Sequence, residues 1–175
     1  MAGDFELIDD ELRVVVRYVT VFAKEVLPVF EEAMPCDARP RAALDAASKF
    51  VEGARRTKLQ RVTSLDAHRA ARDAPTEASR LAAQAAGDAA AAAYLHPIAK
   101  DHQVGHILRA GANVARIAEI EAGDDPRIGD MTIARACRRA TPALIEILRR
   151  YPPAREGRSR TAQLMSALDA SLRST

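Results

Sequence analysis

The chain has 175 residues, with 26 lysines and arginines against 24 aspartates and glutamates, a formal net charge of +2. That length suits one domain over 1–175 and a real core without metal or disulfide staples. Near-neutral charge, no tryptophan and few other aromatics disfavour nucleic-acid binding, which needs a concentrated basic face and stacking rings. Cys36 and Cys137 lie far apart, outside any CxxC or Cys-His motif, and read as thiols of a reducing compartment. The start MAGDFELIDDELR is acidic and shows no secretion signal, and no apolar run approaches membrane-spanning length. The default expectation is therefore cytoplasmic. Excess arginine over lysine and abundant alanine suggest a high-GC bacterial genome.

Leu12, Val15, Val16, Val19, Phe22, Ala23, Val26, Val29 and Phe30 recur at three- and four-residue spacing, the stripe of an amphipathic helix. Asp9 and Asp10 suit its N-cap, and Pro28 predicts a kink or an early end near Leu27. A second helix is expected from Pro40 to Gly53, with proline in the first turn and glycine just past the end. The third runs from Thr57 to Arg72, with Leu59, Val62 and Leu65 inward. A fourth, to about Leu95, contains AAQAAGDAAAAAY, whose small side chains let helix axes approach closely. Pro97 opens a fifth helix reaching about Ala122, and GDDPRIGD is a turn-rich break. A sixth spans Asp130 to Tyr151, interrupted at Thr141-Pro142, and the last runs from Arg160 to Arg173. No strand pattern appears, so the fold class is all-α, a compact bundle of about seven helices.

The stretch YLHPIAKDHQVGHILRAG holds three of the four histidines. On a helical wheel His102, His106, Arg109, Asn113 and Arg116 share one polar face, opposite Val104, Ile107, Leu108 and Gly111. Two imidazoles at HxxxH spacing lack a third ligand, and no HExxH glutamate is present, so no metal and no cofactor are expected. That face reads as solvated or hydrogen-bonded. His96, just before Pro97, reads as a turn residue whose imidazole touches a helix terminus. His68 and Arg72 in DAHRAAR point the same way; they either form a small anion-binding patch or pair with acids of a neighbouring helix. In DARPR, Asp37 can cap the incoming helix, while Arg39 and Arg41 either form local ion pairs or engage a ligand. No catalytic set can be assembled from sequence motifs.

The order of DARPRAALDAASKFVEG, DAHRAAR and AAGDAAAAAYLHPIAKDHQVGHILRAGANVARIAE resembles the bacterial immunity-protein family of polymorphic toxin systems, with its fifth-type-immunity-like domain. AGDDP, RRATPALIEILRRYPPA and GRSRTAQLMSALDASLR resemble its actinobacterial branch. The resemblance covers about 26–173, and YLHP with HQVGHIL are its most specific pieces. It implies an all-helical cytoplasmic domain, assigned to toxin neutralisation mainly from gene context. The positions that match the family are Asp37, Arg39, Pro40, Arg41, His68, Arg72, His96, Gly105 and His106. The segment Lys100–His102 departs from the pattern, which takes weight from His102.

Two readings follow. In the first the protein is a non-enzymatic binding protein that blocks a cognate toxin, with Asp37, Arg39, Arg41, His68, Arg72, His96 and His106 as partner- or ligand-binding candidates. In the second it is a small enzyme or ligand binder that uses His68, His96, His106 and nearby arginines around a helical cleft. Convergence of the three histidines in one pocket would favour the second reading, and scattered imidazoles the first. Homo-oligomerisation is left open.

Overall fold

A computed structural model describes residues 5–175. Its elements are α1 (Asp9–Ala33), α2 (Arg39–Val51), α3 (Lys58–Asp73), α4 (Glu77–Ala91), α5 (Gly105–Glu121), α6 (Pro126–Arg139), α7 (Pro142–Arg149) and α8 (Arg160–Arg173). Short 3₁₀ turns cover Ala92–Tyr94 and Asp101–Val104, and no strand occurs among the described residues. The all-α expectation holds. No described helix is long and apolar enough to cross a membrane.

The alanine run explains the centre of the bundle. α4 packs against α1, α2, α3 and α5, and Ala82, Ala83, Ala85, Ala86, Ala89 and Ala90 are all fully buried. A helix enclosed on so many sides can be approached closely only if its side chains are small. The large side chains come from its neighbours: Phe22 and Phe30 of α1, Phe50 of α2, and Ile107 and Leu108 of α5. A second set, Leu144, Ile147, Leu148, Leu164, Leu168 and Leu172, joins α7 and α8 to the same core.

Several boundaries differ from the sequence expectation, each for a local reason. α1 continues through Pro28 to Ala33. Pro28 is on the exposed side, where water can satisfy the carbonyl that its missing N–H leaves free. Pro97 does not open α5: 97–100 is irregular, a 3₁₀ turn follows, and the α-helix begins at Gly105. The chain is tied there by the Phe5 N–H donating to the Pro97 carbonyl and the Tyr151 hydroxyl donating to the His96 carbonyl. α6 starts at Pro126, inside the stretch read as a break, because Asp125 caps it by accepting from the Arg127 N–H. Thr141-Pro142 does separate two helices, with the Thr141 hydroxyl capping α7 at Leu144. Gly53, at φ +106°, ends α2 as expected.

The third helix is rotated relative to expectation. Leu59, Val62 and Leu65 are exposed, and α3 turns Gln60, Thr63, Ser64, Ala67, Ala70 and Ala71 inward. Gln60 fixes this rotation: its side-chain carbonyl accepts from the Thr57 N–H at 2.9 Å and its amide donates to the Ala46 carbonyl at 3.0 Å. One residue thus closes the capping box and bonds α2.

Gly111 is buried on α5, and the side chains nearest to it come from α8 and α1. A methyl group there would meet Leu168 Cδ2 of α8 at 3.1 Å and Phe22 of α1 at 3.8 Å. Gly111→Leu is expected to destabilise by about 1–3 kcal/mol through overpacking. An unchanged urea midpoint would show that the site has room.

Candidate functional site

Asp88 is the last thing the alanine run advertises, yet it is fully buried near the C-terminal end of α4. A carboxylate in that position needs a counter-charge. Arg109 of α5 supplies it with a two-pronged fork, Nε to Oδ2 at 2.8 Å and Nη2 to Oδ1 at 2.6 Å. The polar face of α5 is therefore turned towards α4 rather than left in water. Asn113, on the same face, is buried and donates its amide to the Leu81 carbonyl at 3.0 Å. Arg116 bonds Glu77 and the buried Glu119.

One histidine lies at Asp88, and a second is near enough to feel its charge. His68 Nε2 lies 3.6 Å from Asp88 Oδ1, too long for a hydrogen bond. It lies there because position 87 is glycine: a Cβ on Gly87 would be 2.8 Å from His68 Nε2. The sequence Gly87-Asp88 thus provides both a flat backbone for the imidazole and the charge beside it. His106, half-buried one turn before Arg109, has a buried Nδ1 with no hydrogen-bond partner. His96 does not join them; it is exposed and engaged through its backbone, its N–H donating to Gln103 Oε1.

Burial holds both His68 and His106 below the ordinary imidazole range, outweighing the opposing pull of Asp88, while Arg109 adds to the depression. Both rings are neutral at neutral pH. Asp88 spends its two oxygens on Arg109 and orients neither ring by a hydrogen bond, so the group is not assembled as a carboxylate–histidine dyad. What it presents outward is a neutral imidazole and the edge of a guanidinium, since the His68 side chain is 30% exposed and that of Arg109 40%. Such an edge recognises polar groups.

The sign of the resulting pH dependence is definite. Each histidine titrates near its ordinary value when unfolded and lower when folded, so the unfolded chain takes protons first on acidification. Stability is full above about pH 6.5 and falls below it, at up to about 1.4 kcal/mol per pH unit for each histidine until the folded rings protonate. Thermal midpoints between pH 7.5 and 5 should fall for wild type and flatten in His68→Gln/His106→Gln. Equal slopes in the two proteins would refute this account.

The remaining candidates are elsewhere. Asp37 accepts from the Arg39 backbone N–H at the start of α2, and Arg39 forks onto Asp37 and reaches Asp73 at 2.8 Å. Arg41 forks onto Glu31. These arginines take the local ion-pair alternative and tie α2 to α1 and α3. Arg72 is exposed. His102 is exposed on the 3₁₀ turn, so a single α-helical wheel does not relate it to His106. No group of three metal-ligating side chains occurs among the described residues.

The sequence reading missed Asp88 and Gly87 and placed Arg109 on a polar face without a role. A charged residue inside an uninterrupted buried-helix pattern was the available signal. The model of the family described as Imm-5 like putative immunity protein matches residues 6–107, over half of the chain. That stretch begins and ends earlier than the motif-based span of 26–173. No curated protein matches the chain, and no solved structure does.

Proposed function

Since the chain belongs to the Imm-5 like putative immunity protein family, we propose that it is a non-enzymatic binding protein that neutralises a cognate toxin in the cytoplasm. The observation that carries this reading is the extent of the match. Residues 6–107 include α1 to α4, the start of α5, Asp88 and all seven candidate residues. The chemistry agrees: Asp88 is committed to Arg109, and the imidazoles are held neutral against it. The polar cluster then serves to lock α3, α4 and α5 in one arrangement and so to present a fixed surface.

Co-expression with a candidate toxin encoded next to its gene tests the reading. This chain should restore growth to cells producing that toxin, and the two purified proteins should co-elute. Toxin-producing cells that die despite abundant folded chain overturn it.

The unpartnered His106 Nδ1 beside the exposed edge of Arg109 favours one second reading, a small-ligand site at His68 and His106. A screen of small carboxylates and phosphates would support it if one raised the melting temperature of wild type but not of His106→Gln.

A further inference from the structure

α3 is turned inside out. Its largest aliphatic side chains, Leu59, Val62 and Leu65, face solvent at 44%, 52% and 53% exposure, while its buried face is alanine, serine, threonine and glutamine. Single exposed aliphatic residues are ordinary, but a row of three on one side of one helix is not. The inward face has no room for them, because it meets the alanine-packed α4. The outward stripe therefore contributes nothing to the fold's own core.

Charge is concentrated in the same place. Residues 54–73 hold six basic and two acidic side chains, a local excess of four in a protein whose total is +2. The rest of the molecule is thus net acidic. Of the six cations, only Arg69 is paired to a carboxylate among the described residues, with Asp66. Arg56 and Arg61 instead lie against the ring of Tyr94, with guanidinium carbons 5.0 and 4.9 Å from its centre. Arg55, Arg56, Lys58 and Arg61 thus accompany Leu59, Val62 and Leu65, an apolar strip with a cationic border.

We infer that the outer face of α3 is the docking surface for a protein partner, and that the matching surface of that partner is apolar with an acidic border. Charge complementarity sets the sign, and the aliphatic row supplies the desolvated centre of such an interface. A 16-residue helix runs about 24 Å, a length that with its flanks suits the roughly 800 Å² a stable interface needs from each side. The inference rests on the reading of the chain as a toxin-binding protein and identifies which face does the binding. It also gives the inner cluster a purpose, since His68 and Gly87 hold the same helix against α4.

Calorimetric titration against the toxin that the co-expression experiment identifies tests it, using three variants. Leu59→Gln/Val62→Gln/Leu65→Gln keeps good helix formers on the exposed side. Arg55→Glu/Lys58→Glu reverses charge in the linker and first helical turn, where acids suit the helix dipole. Met131→Gln, 66% exposed on α6, is the control face. The expected result is about 30-fold or greater weakening by the glutamine triple and about 10-fold by the charge reversal, with Met131→Gln unchanged. Binding unaltered in all three overturns the docking face while leaving the immunity reading intact.

If wild type does not bind the toxin, the immunity reading fails and the face is tested separately. A photo-crosslinking residue at position 62 is then used in cells of the native host. An adduct with another protein that Arg55→Glu/Lys58→Glu abolishes retains the face. An adduct with a second copy of the chain, or none, overturns it.

Discussion

Arg109→Leu is expected to lower stability by about 3–5 kcal/mol at neutral pH, the range for leaving a buried charge without its partner. Asp88 has no exposure of its own, and Arg109 supplies its two close hydrogen bonds. Removing the guanidinium strands a carboxylate among alanines. The loss should shrink when Asp88→Ala is added, because an empty site costs less than an unpaired charge. Urea denaturation of the two single variants and the double variant measures this directly. A loss below about 1 kcal/mol for Arg109→Leu would show that water replaces the arginine freely.

The same variant changes the pH dependence. In wild type acidification below about pH 6.5 destabilises, because His68 and His106 are depressed in the folded state. Without Arg109, His68 becomes the nearest cation available to Asp88, 3.6 Å away. Its protonated form is then favoured in the folded state, and its pKa rises. Arg109→Leu should therefore lose less stability than wild type between pH 7.5 and 5.5, or gain some. A parallel pair of curves would mean that His68 cannot take over as counter-ion.

The helices were readable because their apolar residues repeat at three and four, and their ends carry Pro40, Gly53, Thr57, Thr76 and Thr141 in capping positions. Rotation about a helix axis was less readable. On α3 the wheel points Leu59, Val62 and Leu65 inward because they are the largest apolar side chains there. What decides is the volume left by α4 and the two hydrogen bonds of Gln60, both properties of neighbours. The Asp88 site was hidden for a related reason. Gly87-Asp88 in an alanine run has no local partner, and Arg109 and His68 each lie about twenty residues away. His68 and His106 were identified one by one, and the buried charge that acts on both belongs to a residue that was not. Arg39 and Arg41 were legible as ion-pair formers because Asp37 and Glu31 are near in sequence.

Gly129→Ala should be the most damaging Gly→Ala change among the described residues, costing about 3 kcal/mol or more. A Cβ at that position of α6 would overlap Glu119 Oε1 and fall 2.6 Å from its Cδ and 2.8 Å from its Cγ. The overlap extends along the side chain, so rotating the carboxyl group does not relieve it. Glu119 cannot retreat cheaply either. It is 1% exposed, Arg160 forks onto it at 2.6 and 2.9 Å, and Arg116 donates to its other oxygen at 3.2 Å. Either α6 moves away from α5 or a buried carboxylate leaves two arginines. Glu119→Ala should partly rescue Gly129→Ala, because it removes the obstructing arm. Arg116 keeps Glu77 and Asp124, and Arg160 keeps Asp130 at 3.7 Å, so neither cation is left isolated. A double-mutant cycle in urea measures the coupling, expected to exceed 1 kcal/mol in the rescuing direction. Gly129→Ala within about 0.5 kcal/mol of wild type would mean that α5 and α6 are not held at this distance.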